Sequence, residues 1–409
     1  MPQDKPPLDL IVFGATGFTG RLVAEYLQSA YADADNLRWA LAGRSAARLA
    51  AVRDAIGAPA TLPLIEADAT DAAALHALAR RTRVVLTTVG PYQLHGELLL
   101  QACAAVGTDY VDLCGEPAWM AQMITRHDAT ARQSGARIVF SCGFDSVPFD
   151  LGVCFLQHAA QQRFGQPLPR VQGQVLAMKG TFSGGTAASL LATLEAMGRD
   201  PAIARTMADP FALTPGFSGP PQPDDPEARY ESAAQAWSAP FVMAAINTKN
   251  VHRTHVLLGH PWGTDFIYEE RQLMGTGSDG EWRARGAART ARLQNWALGF
   301  APTRALIRRF ALPKPGQGPG PRARESGHYR VRFTGSTAQG QTLSVMAEGQ
   351  RDPGYGATSR IVSECALSLL QDVPRSRTAG GIWTPGAAMG LALLPRLQDR
   401  AGLRFSVED

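Results

Sequence analysis

At 409 residues the chain is longer than one hydrophobic core normally supports, and its 45% hydrophobic content is that of an ordinary globular protein, so two domains are expected. No run of 18 apolar residues occurs, and no basic segment leads into a long apolar one, so neither a membrane span nor a secretory leader is expected. The formal net charge of +4 hides an uneven distribution: ten basic and no acidic residues lie between Glu281 and Glu325, leaving the remainder net acidic, which argues against a nucleic-acid partner.

From residue 8 the sequence alternates short β-branched runs with segments whose apolar residues recur every three or four positions. The runs are LDLIVFG, LRWALAG, LPLIEAD, RVVLTTVG, DYVDLCG and ARIVFSCG. Six strands alternating with helices predict a Rossmann-type, doubly wound parallel sheet whose ligands sit at the carboxyl ends of the strands. The first turn, GATGFTG, carries Gly14, Thr16, Gly17, Phe18 and Gly20 between strand and helix. Glycines there allow a tight turn and let backbone approach a pyrophosphate, whose charge then rests on helix N–H groups.

The second strand is followed by Arg44 and Ser45, where an acid would bind the ribose hydroxyls of NAD. A guanidinium suits a 2′-phosphate instead, so NADP(H) is the expected cofactor. Asp68, ending the third strand, is a candidate for the adenine edge or a cap for the next helix. After the fourth strand, Gly90 and Pro91 make a turn beside the nicotinamide half, and Tyr92 and His95 follow as candidates for the cleft, Tyr92 equally as packing. The sixth strand runs into CGFDSVPFDLG, where helix capping accounts for Asp145 and Ser146 as well as chemistry does. A Tyr-x-x-x-Lys proton donor is excluded, because none of the four lysines, at 5, 179, 249 and 314, follows a tyrosine by four positions. The five cysteines, at 103, 114, 142, 154 and 365, form no C-x-x-C pair, so neither a disulfide framework nor a metal site is expected and a reducing cytoplasm suits them.

The second half reads as α+β. VQGQVLAMKG, TDFIYEERQLMG, GHYRVRFTGS and QTLSVMAEGQ predict a largely antiparallel sheet, while SGGTAASLLATLEAMG and YGATSRIVSECALSLLQDV predict helices. The proline-rich FALTPGFSGPPQPDDPEARY and LPKPGQGPGPRAR are expected to be mobile surface segments. Residues 1–150 are assigned to the NADP-binding domain, 151–375 to a substrate and dimerisation domain consistent with a homodimer, and 376–409 to a C-terminal segment.

With GATGFTG, AGRS, TTVGPY, GTDYVDLCGE, CGFDSVPFDLG, SGGT, INTKNVHRTHVLLG and GGIWTPGAAMG in this order, the chain resembles the saccharopine dehydrogenase-like oxidoreductases, and among them the trans-acting enoyl reductase branch. One departure is LQNWALGFAPTRALIRRFAL before the KPG loop, where relatives have a longer apolar stretch. The resemblance implies a C-terminal tail packed on the nucleotide domain and NADPH-dependent hydride transfer to an α,β-unsaturated acyl thioester, a substrate that is either small or carrier-bound. Hydride addition there makes an enolate, for which Tyr92, His95, Ser146, Lys179 and Tyr268 are the candidate donors. The alternatives are an amino-acid or imine oxidoreductase, which needs cations such as Lys179, Lys249 and Arg253 for substrate carboxylates, and a catalytically silent NADP-binding protein, redox-sensing or lipid-associated. The basic stretch 283–324, with Trp296, Phe300, Ile307 and Phe310 interleaved, suits an acyl carrier protein or the anionic inner face of a membrane, or else a solvated surface.

Overall fold

In the computed structural model, which describes residues 7–32, 37–180, 184–299 and 318–408, the first strands are β1 (Leu8–Phe13), β2 (Trp39–Gly43), β3 (Leu64–Glu66), β4 (Thr82–Thr87), β5 (Asp109–Val111) and β6 (Arg137–Val139). All six are parallel, and β1 pairs with both β2 and β4, Leu10 standing opposite Trp39 on one side and Val84 on the other. Every residue of β1 is buried, as expected for a central strand with helices on both faces.

The second sheet uses β7 (Arg170–Lys179), β8 (Arg229–Glu231), β9 (Ala236–Pro240), β10 (Ile267–Gly275), β11 (His328–Ser336) and β12 (Thr342–Gln350). Its pairings are antiparallel except β7 with β10. Helix Val147–Phe164 covers this sheet, and a Cβ on its Gly152 would lie 2.2 Å from the Phe333 ring, so glycine allows the close approach.

The last residues join both sheets. β13 (Gly381–Trp383) adds a seventh parallel strand beside β6, and β14 (Leu403–Val407) pairs antiparallel with β12. Strand orders are β13-β6-β5-β4-β1-β2-β3 and β14-β12-β11-β7-β10-β9-β8. The sequence predicts six strands for the first sheet; β13 comes from the far end of the chain, outside the alternating series that marks the others. The order reverses between β1 and β4, which opens a crevice at their carboxyl ends.

The proline-rich stretch after Ala208 also departs from a surface segment, since Phe211 and Leu213 are buried. Of the basic stretch, Arg304, Ile307, Arg308, Arg309, Phe310, Lys314, Phe300 and the Trp296 side chain lie outside the described residues. No described helix is long and apolar enough to cross a membrane.

Candidate active site

The glycine turn after β1 divides its work among three positions. Gly14 has φ +88°, and a Cβ there would sit 2.7 Å from the Val89 side chain. A Cβ on Gly20 would fall 2.2 Å from the Gly14 carbonyl oxygen, so glycine lets helix Phe18–Tyr31 lie directly on the strand. On Gly17 it would meet only that same oxygen, at 3.3 Å, and the outward side stays open. No side chain caps the helix, so the N–H groups of its first turn are available to an anion, and the cradle fits a dinucleotide pyrophosphate. The Phe18 ring packs edge-on against Tyr355, centroids 4.7 Å apart, and the Arg324 guanidinium lies 5.9 Å from its centre.

Past β2, Arg44 is exposed and Ser45 caps the next helix, its Oγ accepting the Arg48 N–H at 3.4 Å. Using the oxygen as acceptor leaves the Ser45 proton for a phosphate. Thr16, Gly17, Phe18, Arg21 and Arg48 border a groove of about 250 Å³. Asp68 accepts from the Thr70 N–H at 2.9 Å and hydroxyl at 2.7 Å. Those bonds, then the charges of Arg44 and His95, hold it below the usual carboxylate range. Asp71, not Asp68, caps the following helix. His95 is exposed on the Asp68 side of the crevice, outside the cavity described next.

A cavity of about 220 Å³ opens at the ends of β4, β5 and β6. Thr19, Thr88 and Gly90 border it from the side of the glycine turn, and Cys114, Ser141, Gly143, Asp145 and Ser146 line it as well. Leu190, Met207, Val242, Met243 and Ile246 of the second half give the opposite wall most of its apolar surface, with Thr186, Ser189 and Thr193 between them. The peptide bond between Gly90 and Pro91 is cis.

Tyr92 borders the cavity but is buried, its hydroxyl donating to the Thr87 carbonyl at 3.2 Å and accepting the Leu113 N–H at 3.0 Å. Ser146 borders it too, donating to Asn247 Oδ1 at 3.2 Å and accepting from Asn250 Nδ2 at 3.1 Å. Ser146 stands at the N-cap position of its helix, but its side chain makes no cap bond there. Lys179 is exposed at the end of β7, and Tyr268 is buried within β10, donating to Glu270 at 2.8 Å; neither borders the cavity. Arg253 donates to the backbone carbonyls of Leu213 and Ile382, and burial lowers the Lys249 ammonium to about 8.

Residues 10–139 match the family described as saccharopine dehydrogenase NADP binding domain. The chain is 43% identical, over 95% of both chains, to a Mycobacterium tuberculosis protein provisionally named a trans-acting enoyl reductase. It is 37% identical to a Mycobacterium ulcerans protein named trans-acting enoyl reductase, over 97% of both. The chain belongs to the trans-acting enoyl reductase family. Its fold is that of the L-glutamate-forming saccharopine dehydrogenase of Saccharomyces cerevisiae, with TM-score 0.55 and 14% identity over 98% of this chain and all of that one. The NADP-binding family match and these relatives make it an NADP-dependent oxidoreductase.

In this family member three features of the site escape a linear reading. Glu116 accepts the N–H groups of Tyr92 and Gln93, both at 2.8 Å, and the Ser189 hydroxyl at 2.6 Å, so one buried carboxylate joins the two walls of the cavity. Ser146 is linked through Asn247 to Glu270, whose carboxyl burial pushes up to about 8. Asp145 borders the cavity instead of capping a helix; burial raises it to about 6, against the bond from Thr186. The residue types were visible, but their partners lie tens to over a hundred positions away.

Proposed function

We propose that this protein reduces the double bond of an α,β-unsaturated acyl thioester with NADPH. NADPH, when bound, supplies the hydride; the chain binds both partners and manages the charge that develops. We assign the pyrophosphate to Gly14, Gly17 and the first turn after it, the 2′-phosphate to Arg44 and Ser45 with Arg48 alongside, and the nicotinamide to the Gly90–Pro91 side of the cavity. The division at residues 150 and 375 then separates cofactor binding from substrate binding, with the last segment serving both.

The observation that carries this reading is the charge of the cavity. Among the described residues bordering it there is no lysine, arginine or histidine, and the one carboxyl is Asp145. An amino-acid or imine substrate with free carboxylates would be buried there without a cation, at a cost of several kcal/mol. A thioester is neutral, and its acyl chain suits the apolar wall. The name of the relatives supports an acyl group delivered on another protein. Helix Gly277–Gly299 offers a surface for an acidic carrier: Trp282 is 78% exposed and Leu293 66%, among exposed Arg283, Arg285, Arg289 and Arg292. Glu281 pairs with Arg285 and Glu227 with Arg292, which tempers its charge.

The test is NADPH consumption against a panel of enoyl thioesters and imino acids. Enoyl thioesters should be turned over to saturated products; turnover confined to imino acids, or tight NADPH binding with no turnover, would overturn the reading.

A further inference from the structure

We propose that Asp145 is the proton donor that completes the reduction, delivering a proton to the α-carbon of the substrate; this rests on the enoyl-reduction reading above. When hydride bonds to the β-carbon, the π pair of the double bond moves towards the thioester carbonyl and leaves an enolate. The enolate pair then takes the Asp145 proton at the α-carbon. The carboxyl O–H breaks as the C–H forms, and the resulting carboxylate recovers its proton from water.

The cavity leaves few other sources. Tyr92 donates to the Thr87 carbonyl, Ser146 to Asn247 and Ser189 to Glu116. Burial also holds the Tyr92 hydroxyl and the Cys114 thiol well above their ordinary ranges, so both stay neutral and are poor acids. Asp145 borders the same space, and Thr186 donates to it from helix Gly184–Arg199, on the far wall. Val242, Met243 and Ile246 face the cavity without charge. Desolvation by these surroundings keeps the acid form of Asp145 populated up to about 6.

Asp145→Asn should lower kcat for an enoyl thioester by about 100-fold or more while NADPH binding, followed by fluorescence titration, is retained. In the wild type kcat/KM should fall above about pH 6, because the donor must be protonated, and in D145N that limb should vanish. Thr186→Val removes a bond that favours the carboxylate, so it should move the limb to higher pH, a shift that loss of packing alone would not give. Unchanged pH profiles in D145N and T186V, with the wild type active on enoyl thioesters, would overturn the assignment of Asp145 alone. A wild type inactive on every enoyl thioester would overturn the reaction and the donor together.

Discussion

We assign the choice of cofactor to single residues. Gly14 and Gly20 are glycines because neighbouring atoms occupy the space of a Cβ, whereas the outward side of Gly17 is open, as a position facing a ligand requires. Arg44 has no structural duty that a shorter side chain would fail: it is exposed, and its Coulombic neighbour Asp68 is satisfied by Thr70. Arg44→Asp should therefore leave folding intact and invert cofactor preference, since one charge-assisted bond is worth about 1.5–3 kcal/mol, roughly 10- to 150-fold in affinity. Dissociation constants for NADPH and NADH in the two proteins measure this; equal affinities in the wild type would remove the role given to Arg44. This part of the site was legible because a dinucleotide loop is local in sequence. Asp145 was not, because the same residue type at the same position serves a cap equally well and only its neighbours separate the two uses.

At the scale of elements, helix Ala244–Leu257 shows why the second half was harder. Its sequence is polar, AAINTKNVHRTHVL, yet Asn247, Lys249, Asn250, His252, Arg253, Thr254 and His255 are all buried. Periodicity cannot find such a helix, because its polar residues are buried by the elements around it, some of them pairing with distant groups as Thr254 does with Asp150 at 2.6 Å. The arrangement makes stability depend on pH from both sides. Burial, then His255 and Lys249, lowers His252 from 6.5 to about 3, so its contribution is present above pH 6.5 and lost as pH falls towards 3. Burial raises Glu270 from 4.5 to about 8, so its contribution is full below 4.5 and lost as pH rises through 8. Glu270→Gln keeps an acceptor for Tyr268 and cannot ionise, so its denaturation midpoint should fall less steeply than the wild type's between pH 5 and 8. Parallel slopes would mean that Glu270 is already ionised in the folded protein.

Over the whole molecule, the cavity lies where the two halves meet, joined by the Glu116 bonds to Tyr92 and Ser189, by helix Val147–Phe164 and by a tail that gives β13 to one sheet and β14 to the other. The net charge acts at this scale as well. If the exposed arginines of helix Gly277–Gly299 steer an acidic carrier, turnover of a carrier-bound enoyl substrate should fall steeply with salt, as the screening length shrinks from about 10 Å at 0.1 M to about 3 Å at 1 M. A small neutral thioester should barely respond, and equal salt sensitivity of the two would leave this helix without a docking role. The amino-acid sequence by itself determined the parallel sheet and the glycine turn and pointed to NADP, because strand periodicity, tight turns and the residue after a strand are each read over short spans. Only the tertiary structure decided that His95 stands near Asp68 and outside the cavity, that Lys179 and Tyr268 lie away from it and that Asp145 borders it. Those outcomes depend on desolvation and on which distant elements pack together, as the Thr186 helix does against Asp145, which no local pattern encodes.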